Sequence, residues 1–367
     1  MNLVFRAGLG AAVLTACGKA DGSIPTQGVT VEAKLPATFG QISNVVELAD
    51  GRIAFVADRH FVMADLTSGK VDTAGVHSDT LGPNPPVSAY KFPGWVADLA
   101  GDTLALVDFA AIRTTLWTER GQPLHALSIP PIGGATPVLF YDHQGFGYKS
   151  DYRSLFGSPE PGVAARPADS IPIVRIRLRT GEADTVANLA APTLGEARFG
   201  EQTQQVATIF GPNDLFGSLP DGRVWIARAK ENRVDWRAPG GMWIRGDSRK
   251  FEQVPVTDAD KSRVLDRIRA QAGGRLPDTL PLRWPFAEHK PPFDNAIASP
   301  AGDVWLQRSR PLDVTTYVYD VYGPDTRWKR AVALPPDLIL AGFGKDGAIY
   351  GIAKDGDRRT VARMKEH

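Results

Sequence analysis

The sequence contains a single cysteine, Cys17, among 367 residues. A lone thiol cannot close a disulfide within the chain, and it cannot form a metal cage of several cysteines. The sequence also lacks an excess of charge of either sign, because 42 lysines and arginines nearly balance 41 aspartates and glutamates. Nucleic-acid binding needs a basic excess that neutralises phosphates, so nucleic acid is not expected as a partner.

Long hydrophobic runs are missing as well. The uncharged apolar run from Ala7 to Ala16 follows Arg6 and is shorter than the roughly 20 residues that a membrane-spanning helix needs. A short apolar run after a positive charge is typical of a secretory signal. The sequence therefore predicts export, and an ordinary secretory signal is one interpretation of this segment.

The end of that run carries a more specific pattern. Leu14-Thr15-Ala16-Cys17 resembles the lipobox of bacterial lipoproteins. This resemblance implies that residues 1–16 are a signal peptide and that Cys17 is lipidated, which would make the membrane a partner. Residues 17–27 then form a tether. In that family, Gly18 in place of an aspartate favours the outer membrane of the bacterial cell envelope.

Six short stretches of the chain resemble one another, each a small polar turn with a glycine followed by a β-branched or aromatic run. Such turns need positive φ and are typical of β-hairpins. The turn glycines are Gly51, Gly101, Gly145, Gly222, Gly302 and Gly347. By subtraction they lie 50, 44, 77, 80 and 45 residues apart. Repeats of about 40 to 50 residues with four strands each are typical of β-propeller blades.

The two long intervals require insertions. Thr257-Asp-Ala-Asp260 has the form of a helix-capping box, and apolar residues recur behind it at helical spacing until Gly273, which predicts one helical insertion. In the fourth unit we expect strands at 214–219, 223–229, 241–245 and 251–256. A further insert at 151–170 has no periodicity.

The last repeat ends one strand short. Val29–Leu35 alternates apolar and polar residues and precedes the first unit without a partner. An open ring would expose sheet edges, so we expect this segment to pair as the outer strand of the last blade. The prediction is an all-β, six-bladed propeller over residues 28–366, closed by an N-terminal strand.

Two of the hairpins carry a family resemblance. Asp221-Gly-Arg-Val-Trp225 and Gly302-Asp-Val-Trp305 resemble the repeat of the six-bladed propeller superfamily that includes the NHL-repeat, TolB-like and gluconolactonase-like groups. Enzymes, binding proteins and scaffolds all use this fold, so the motif predicts architecture and leaves function open.

The mouth of the central channel is where such a fold places its site. The candidates are polar residues at or near the beginnings of the inner strands, namely Asn44, Asn213, Asp214, Asp294 and Asn295. Their oxygens are suited to Ca²⁺, and the gluconolactonase-like resemblance implies a metal there. That group also uses a glutamate of the first blade, where this chain offers Glu47. The alternative is that the five residues form turns before strands.

Two arginines and three tryptophans are further candidates. Arg228 and Arg308 sit at matching places after Val-Trp, where a guanidinium would bind a carboxylate or a sugar acid. Pairing with neighbouring acids is the alternative. If the protein has a recognition surface for a peptide or glycan, we expect it at Trp236, Trp243 and Trp284, in or beside the fourth unit, and in the insert at 151–170.

No pattern of nucleophilic or zinc-dependent catalysis occurs in the sequence. We therefore expect a monomeric, lipid-anchored propeller that binds a protein, peptide or glycan. The alternative function is a Ca²⁺-dependent, lactonase-like hydrolase at the channel mouth.

Overall fold

A computed structural model describes residues 26–82, 84–127, 129, 137–152, 169–271 and 282–367 of the chain. The predicted signal peptide, the lipidation at Cys17 and most of the tether lie outside the described residues, as does most of the insert at 151–170. Within the described part of the chain, no helix combines the length and hydrophobicity needed to cross a bilayer.

Strand β1 (Gln27–Lys34) precedes four regular sheets and one larger sheet. The first sheet comprises β2 (Ile42–Glu47), β3 (Ile53–Ala57), β4 (His60–Ala64) and β5 (Val71–Ala74). The parallel pair β6 (Val76–His77) and β7 (Ala89–Tyr90) follows. The second sheet comprises β8 (Pro93–Asp98), β9 (Thr103–Asp108), β10 (Arg113–Thr118) and β11 (Pro123–Ala126). The third sheet comprises β12 (Phe140–Tyr141), β13 (Phe146–Ser150), β14 (Ser170–Arg177) and β15 (Ala183–Ala190).

The next region adds a smaller sheet and a helix to the repeating pattern. The smaller sheet is built from β16 (Leu194–Phe199), β17 (Gln202–Ala207) and, later in the chain, β22 (Leu282–Arg283). The fourth sheet comprises β18 (Leu215–Ser218), β19 (Val224–Arg228), β20 (Arg233–Arg237) and β21 (Trp243–Ile244). Helix α1 (Asp258–Gln271) follows it.

The remaining strands form an eight-stranded sheet with β1 inside it. One half comprises β23 (Phe293–Ala298), β24 (Val304–Arg308), β25 (Val318–Tyr322) and β26 (Trp328–Ala333). The other half comprises β27 (Leu338–Phe343), β28 (Ile349–Asp355) and β29 (Arg358–Glu366). Strand β1 lies between β26 and β29 and joins the two halves.

The pairing expected for the N-terminal segment is confirmed. Val29 lies opposite Glu366 in an antiparallel ladder with β29, and Gln27 lies opposite Val332 in a short parallel ladder with β26. Val29 is buried within the core that the two halves share. The first strand of the chain therefore completes the sheet made by the last strands.

The core consists of apolar layers between neighbouring sheets. Such layers lie between the first and second sheets, the second and third, and the third and fourth. Further layers lie between the fourth sheet and the β23 half, between the β23 and β27 halves, and between the β27 half and the first sheet. Each of the four regular sheets and each half of the eight-stranded sheet thus packs against a neighbour on both faces, which is the arrangement of a propeller.

The predicted hairpin turns are confirmed at the backbone. All six turn glycines adopt positive φ, between 72° and 90°, a region that glycine enters at little cost. The helix prediction is confirmed as well. Thr257 Oγ1 accepts the N–H of Asp260 at 3.2 Å, and Asp260 Oδ2 accepts the N–H of Thr257 at 3.0 Å. This reciprocal pair is a capping box.

The strand prediction for the fourth unit is wrong in its second half. The third strand is β20, which we did not predict, and the fourth is β21; the stretch 251–256 contains only an isolated bridge at Pro255. Strand β20 looks too polar for a core strand, yet Arg233 and Asp235 are buried because they pair with each other at 2.9 Å. The hairpin of β16 and β17 also went unpredicted, and it accounts for part of the long third interval.

Candidate functional site

Six strands surround one cavity at the centre of the molecule. We call β2, β8, β12, β18, β23 and β27 the channel strands, because residues from each of them line this cavity. Its volume is about 770 Å³, within the range of about 300–1,000 Å³ that is common for small-molecule sites. Much of the wall is apolar, including Val45, Trp95, Leu139, Phe216, Ile297 and Phe343.

Different residues lie at the two ends of the channel strands, and we call these ends of the cavity its mouths. The channel strands begin at the strand-start mouth, where the sequence predicted calcium ligands. They end at the hairpin mouth, where the tight turns of neighbouring sheets contact one another, as when Gln144 Nε2 donates to the carbonyl of Asp221 at 3.0 Å. The residues at the two mouths are described in turn.

Asn44 holds two sheets together at the strand-start mouth. It lies at a bulge of β2, and its carboxamide donates to the carbonyl of Val96 and accepts the N–H of Val96 in β8. Val96 is fully buried. The Asn44 side chain therefore replaces a missing strand neighbour, and both of its polar ends are engaged.

Asp214 is engaged even more completely. It is buried, and its carboxylate accepts the N–H groups of Ala190 and Ala229 at 2.9 and 3.0 Å. Arg228 donates to the same carboxylate at 2.8 Å and to Asp235 at 3.1 Å. Burial opposes ionisation of Asp235, but hydrogen bonds from Arg233, the N–H of Gly246 and Arg228 together lower its pKa. For Arg228, the structure therefore shows the alternative interpretation, pairing with neighbouring acids.

Arg308 is paired in the same way. Its guanidinium makes a two-point contact with Asp320, with both distances 2.8 Å. Asp294 accepts a hydrogen bond from Gln307 Nε2 at 2.6 Å, and Gln307 in turn accepts from Tyr319. Asn295 lines the cavity beside them. These contacts form a polar network across the β23 half.

Three of the five predicted calcium ligands line the cavity. Asn44, Asp214 and Asn295 line the cavity, whereas Asn213 and Asp294 are not among its lining residues. The side-chain oxygens of Asn44 and Asp214 already accept hydrogen bonds from the protein, whereas a Ca²⁺ ion needs about 6 to 8 oxygen ligands. Across the described ranges, no three His, Cys, Asp or Glu side chains are grouped so that they could hold a metal ion.

The hairpin mouth holds an acid–base pair that the sequence did not reveal. Asp98 lies at the end of β8, with His143 Nε2 4.0 Å from its Oδ2. Its side chain is 43% exposed, but the surrounding protein displaces part of the water around the carboxyl. This desolvation raises the pKa of Asp98 to about 6; Glu119 adds to the rise, while His143 and Lys345 oppose it.

Glu47 reaches the same mouth from the first sheet. Its carboxylate accepts the N–H of Lys345 at 3.1 Å, while Glu119 accepts the N–H of Ala49 at 2.9 Å. This end of the cavity is lined by Glu47, Asp98 and Lys345, and both His143 and Glu119 lie close enough to Asp98 to influence its pKa. A carboxyl that titrates near neutral pH beside an imidazole can exchange protons with a bound molecule.

One tryptophan reaches the cavity from behind a channel strand. Trp225 in β19 lies directly opposite Gly217 in β18 and is 2% exposed. Because Gly217 has no side chain, the indole occupies that space and lines the cavity. An isolated glycine inside a strand is the sequence signal of such a close approach, and Gly217 is such a glycine.

The three tryptophans expected to form a recognition surface differ in solvent exposure and in packing. Trp236 is buried at 1% exposure and donates to the carbonyl of Gly323, so its prediction as a free surface residue is wrong. Trp284 packs edge-on against Phe199. Trp243 is 43% exposed at the outer edge of the fourth sheet.

Comparisons with known proteins return structural likenesses alone. No protein-family model matches the sequence, and no curated protein matches it. A gluconolactonase from Xanthomonas campestris is 13% identical, with a TM-score of 0.45 over 94% of this chain and 96% of that one. A member of the DUF4221 family from Bacteroides vulgatus is 10% identical, with a TM-score of 0.47 over 92% and 98%.

A further likeness is to regucalcin from Agrobacterium tumefaciens, described as a calcium-binding protein. It is 10% identical, with a TM-score of 0.42 over 92% of this chain and 95% of that one. At such identities the activities of these proteins do not carry over to this chain.

Proposed function

We propose that this protein is a lipid-anchored, monomeric propeller of the bacterial cell envelope that binds a small apolar molecule in its central channel. The observation that carries the proposal is the cavity of about 770 Å³ with its largely apolar wall, reached by all channel strands. Burial of apolar ligand surface would supply the binding free energy.

The expected ligand thereby changes from a macromolecule to a small molecule. A protein, peptide or glycan would need an exposed surface, and of the three predicted platform tryptophans Trp236 is buried and Trp284 packs on Phe199. Membrane anchoring rests on the lipobox-like Leu14–Cys17 segment. The outer membrane remains the proposed location.

We propose that this propeller has six blades. When β1 is assigned to the β27 half, the eight-stranded sheet divides into two blades of four strands. The ladder between β1 and β29 is longer than the two residue pairs between β1 and β26, which supports this assignment.

A blocked channel tests the proposed function. Ala97 lines the cavity in β8, and Ala97→Trp would fill space there. We expect 2-acetylnaphthalene, a small apolar probe, to bind the purified wild-type chain in equilibrium dialysis and to lose at least tenfold in affinity in Ala97→Trp. Val76→Trp, at a position 61% exposed on the surface, is the matched control. Equal binding by all three proteins would contradict the proposal.

A hydrolase is the second candidate, and the pair of Asp98 and His143 at the hairpin mouth favours it. Calcium dependence belongs to this second candidate alone. It predicts a Ca²⁺-induced rise in Tm that is lost in Asp294→Ala. Addition of Ca²⁺ without any effect on Tm would remove the calcium-dependent form of this candidate.

A further inference from the structure

Each channel strand contributes its last residue to the cavity wall at the hairpin mouth. These six residues are Glu47, Asp98, Tyr141, Ser218, Ala298 and Phe343. Because the channel strands surround one cavity, the six residues form a ring around its hairpin end. A ligand that extends to this end of the cavity therefore meets the side chains of this ring.

Most polar side chains of the ring are already hydrogen-bonded within the protein. The Tyr141 hydroxyl donates to the carbonyl of Val138 at 3.1 Å, and the Ser218 hydroxyl donates to the carbonyl of Tyr141 at 3.2 Å. Glu47 accepts the N–H of Lys345 at 3.1 Å. These three side chains therefore have partners that the fold itself supplies.

Asp98 differs from them. Among the described residues, the nearest nitrogen of a basic side chain is His143 Nε2, which lies 4.0 Å from Oδ2, beyond hydrogen-bond distance. The N–H of Leu99 supports the carboxylate only slightly, since it already donates to the carbonyl of Thr103 at 2.9 Å. The Asp98 side chain is 43% exposed, so a molecule at this mouth can reach its oxygens. An accessible carboxylate with so few donors can accept hydrogen bonds from a ligand.

The charges around Asp98 favour a positively charged ligand group. Glu47 and Lys345 line this end of the cavity with Asp98, and Glu119 lies close enough to raise the pKa of Asp98. At about pH 8, where an imidazole is ordinarily neutral, acids outnumber the one ammonium group of Lys345. This excess of negative charge repels an anionic ligand group and attracts a cationic one.

Aromatic side chains in the cavity wall support the same preference. Phe343 packs on Trp305 in a T-shaped arrangement, with 5.2 Å between the ring centroids, and it also lines the cavity. Trp95 lines the cavity three residues before Asp98 in β8. Aromatic rings pack against apolar groups and attract cations through their faces. The wall therefore suits both the apolar body of a ligand and a charged amine attached to it.

We infer that Asp98 is a specificity-determining residue of the channel, which selects apolar ligands that carry an ammonium group. This inference rests on the proposed function, because the apolar body of the ligand has to occupy the cavity. In the complex, the ammonium N–H groups donate to the carboxylate of Asp98. A ligand of the same shape with a carboxylate would lie near Asp98 and Glu47, which repel it.

Three probes that share a naphthyl group and differ in charge test this inference. They are the cation 2-(2-naphthyl)ethylamine, the neutral 2-(2-naphthyl)ethanol and the anion 2-naphthylacetate. In equilibrium dialysis of the full-length chain at about pH 8, we expect the amine to bind about threefold to tenfold more tightly than the alcohol. This is less than a fully buried charged hydrogen bond would give, because Asp98 is half-exposed. The anion should bind most weakly.

Asp98→Asn removes the charge and nearly keeps the shape of the side chain. We expect this variant to lose the preference for the amine over the alcohol, while its affinity for the alcohol stays within about twofold of the wild type. Asp102→Asn is the matched control, because Asp102 lies in the adjacent turn and is not among the residues that line the cavity. The control should keep the preference for the amine.

The pH dependence of the wild-type chain gives a second test that needs no variant. Burial raises the pKa of Asp98 to about 6, so the carboxyl is mostly protonated at about pH 5, and the preference for the amine should be smaller there than at about pH 8. Glu47, Glu119, Lys345 and His143 are the other charged or titratable groups around Asp98. Protonation of His143 or of either glutamate would act in the same direction, so Asp98→Asn should show a smaller pH effect than the wild type.

The outcomes distinguish this inference from the proposed function. If the amine and the alcohol bind equally well, or if Asp98→Asn keeps the preference, the role of Asp98 is wrong and the ligand-binding channel stands. Tightest binding of the anion would overturn the inference in favour of Lys345. If no naphthyl probe binds, 2-acetylnaphthalene included, the proposed function fails and this inference falls with it.

Discussion

Single polar side chains join neighbouring sheets in this molecule. Asn44 is the clearest case, because its carboxamide satisfies both backbone groups of the fully buried Val96. A side chain in this position acts as structure and is not available as a ligand. The sequence could place Asn44 at the start of an inner strand, but it could not show which backbone its amide would meet.

Removing this carboxamide should destabilise the fold. We expect Asn44→Ala to lower the free energy of unfolding by about 1–3 kcal/mol, because two buried backbone groups lose their partners. Asn213→Ala, at an exposed position predicted from the same sequence pattern, should change it by less than about 0.5 kcal/mol. Urea unfolding at neutral pH measures both, and equal effects would contradict the role of Asn44.

The carboxyl of Asp98 gives the molecule a pH dependence. Since burial raises its pKa to about 6 from an ordinary value of 3.8, the folded state binds this proton more tightly than the unfolded chain does. The contribution to stability is therefore fully present below about pH 4 and is lost as the pH rises through 6.

Asp98→Asn, which resembles the protonated form, should remove this dependence. We expect the variant to have a higher Tm than the wild type at pH 7.5 and nearly the same Tm at pH 4. Asp102→Asn, in the adjacent turn, is the control. A Tm difference that persists unchanged at pH 4 would show that the carboxyl does not titrate as described.

At the scale of elements, helix α1 is fixed to the propeller by a buried ion pair. Lys290 Nζ lies 2.6 Å from Asp260 Oδ1, and their side chains are only 6% and 2% exposed. Asp260 is also the acidic member of the capping box. One carboxylate therefore begins the helix and anchors it.

Removing the lysine leaves that carboxylate buried and without its cation. We expect Lys290→Met to cost about 3–5 kcal/mol in unfolding free energy. Lys261→Met removes a similar pair with Asp258, but there the side chains are 42% and 99% exposed, so we expect less than about 0.5 kcal/mol. Chemical denaturation of the two variants side by side distinguishes these values.

Elements that depend on a local backbone requirement could be predicted from the sequence. A strand that buries charged side chains in pairs could not, because its composition is that of an exposed segment. Turn glycines and the capping box depend on local chemistry, so the six hairpins and α1 follow from the sequence. Strand β20 buries Arg233 against Asp235, so its composition is typical of a surface segment. The place of Trp225 in the cavity wall depends on which residue lies across the ladder, and this register is not local information.

At the scale of the whole molecule, the fold depends on β1. This strand adds a partner to β29 and joins it to β26, so neither half of the eight-stranded sheet ends in a free edge there. The prediction of this pairing succeeded because a ring has to close, a requirement independent of side-chain detail.

Truncation tests the importance of this closure. A chain that begins at Gln27 should keep the wild-type Tm, because it retains all of β1. A chain that begins at Leu35 should lose cooperative unfolding or aggregate, because β26 and β29 then expose unpaired edges. Differential scanning calorimetry compares the two, and equal, sharp transitions would show that β1 is dispensable.

The ladder between Val29 and Glu366 also has a consequence for biosynthesis. Strand β1 is translated before the other strands and must wait for β29, which is translated after them, and contacts between such distant residues form slowly. Until β29 has been translated, the nascent protein exposes an unfilled gap that chaperones or proteases can recognise. Products of premature termination that lack β29 should therefore be degraded rapidly.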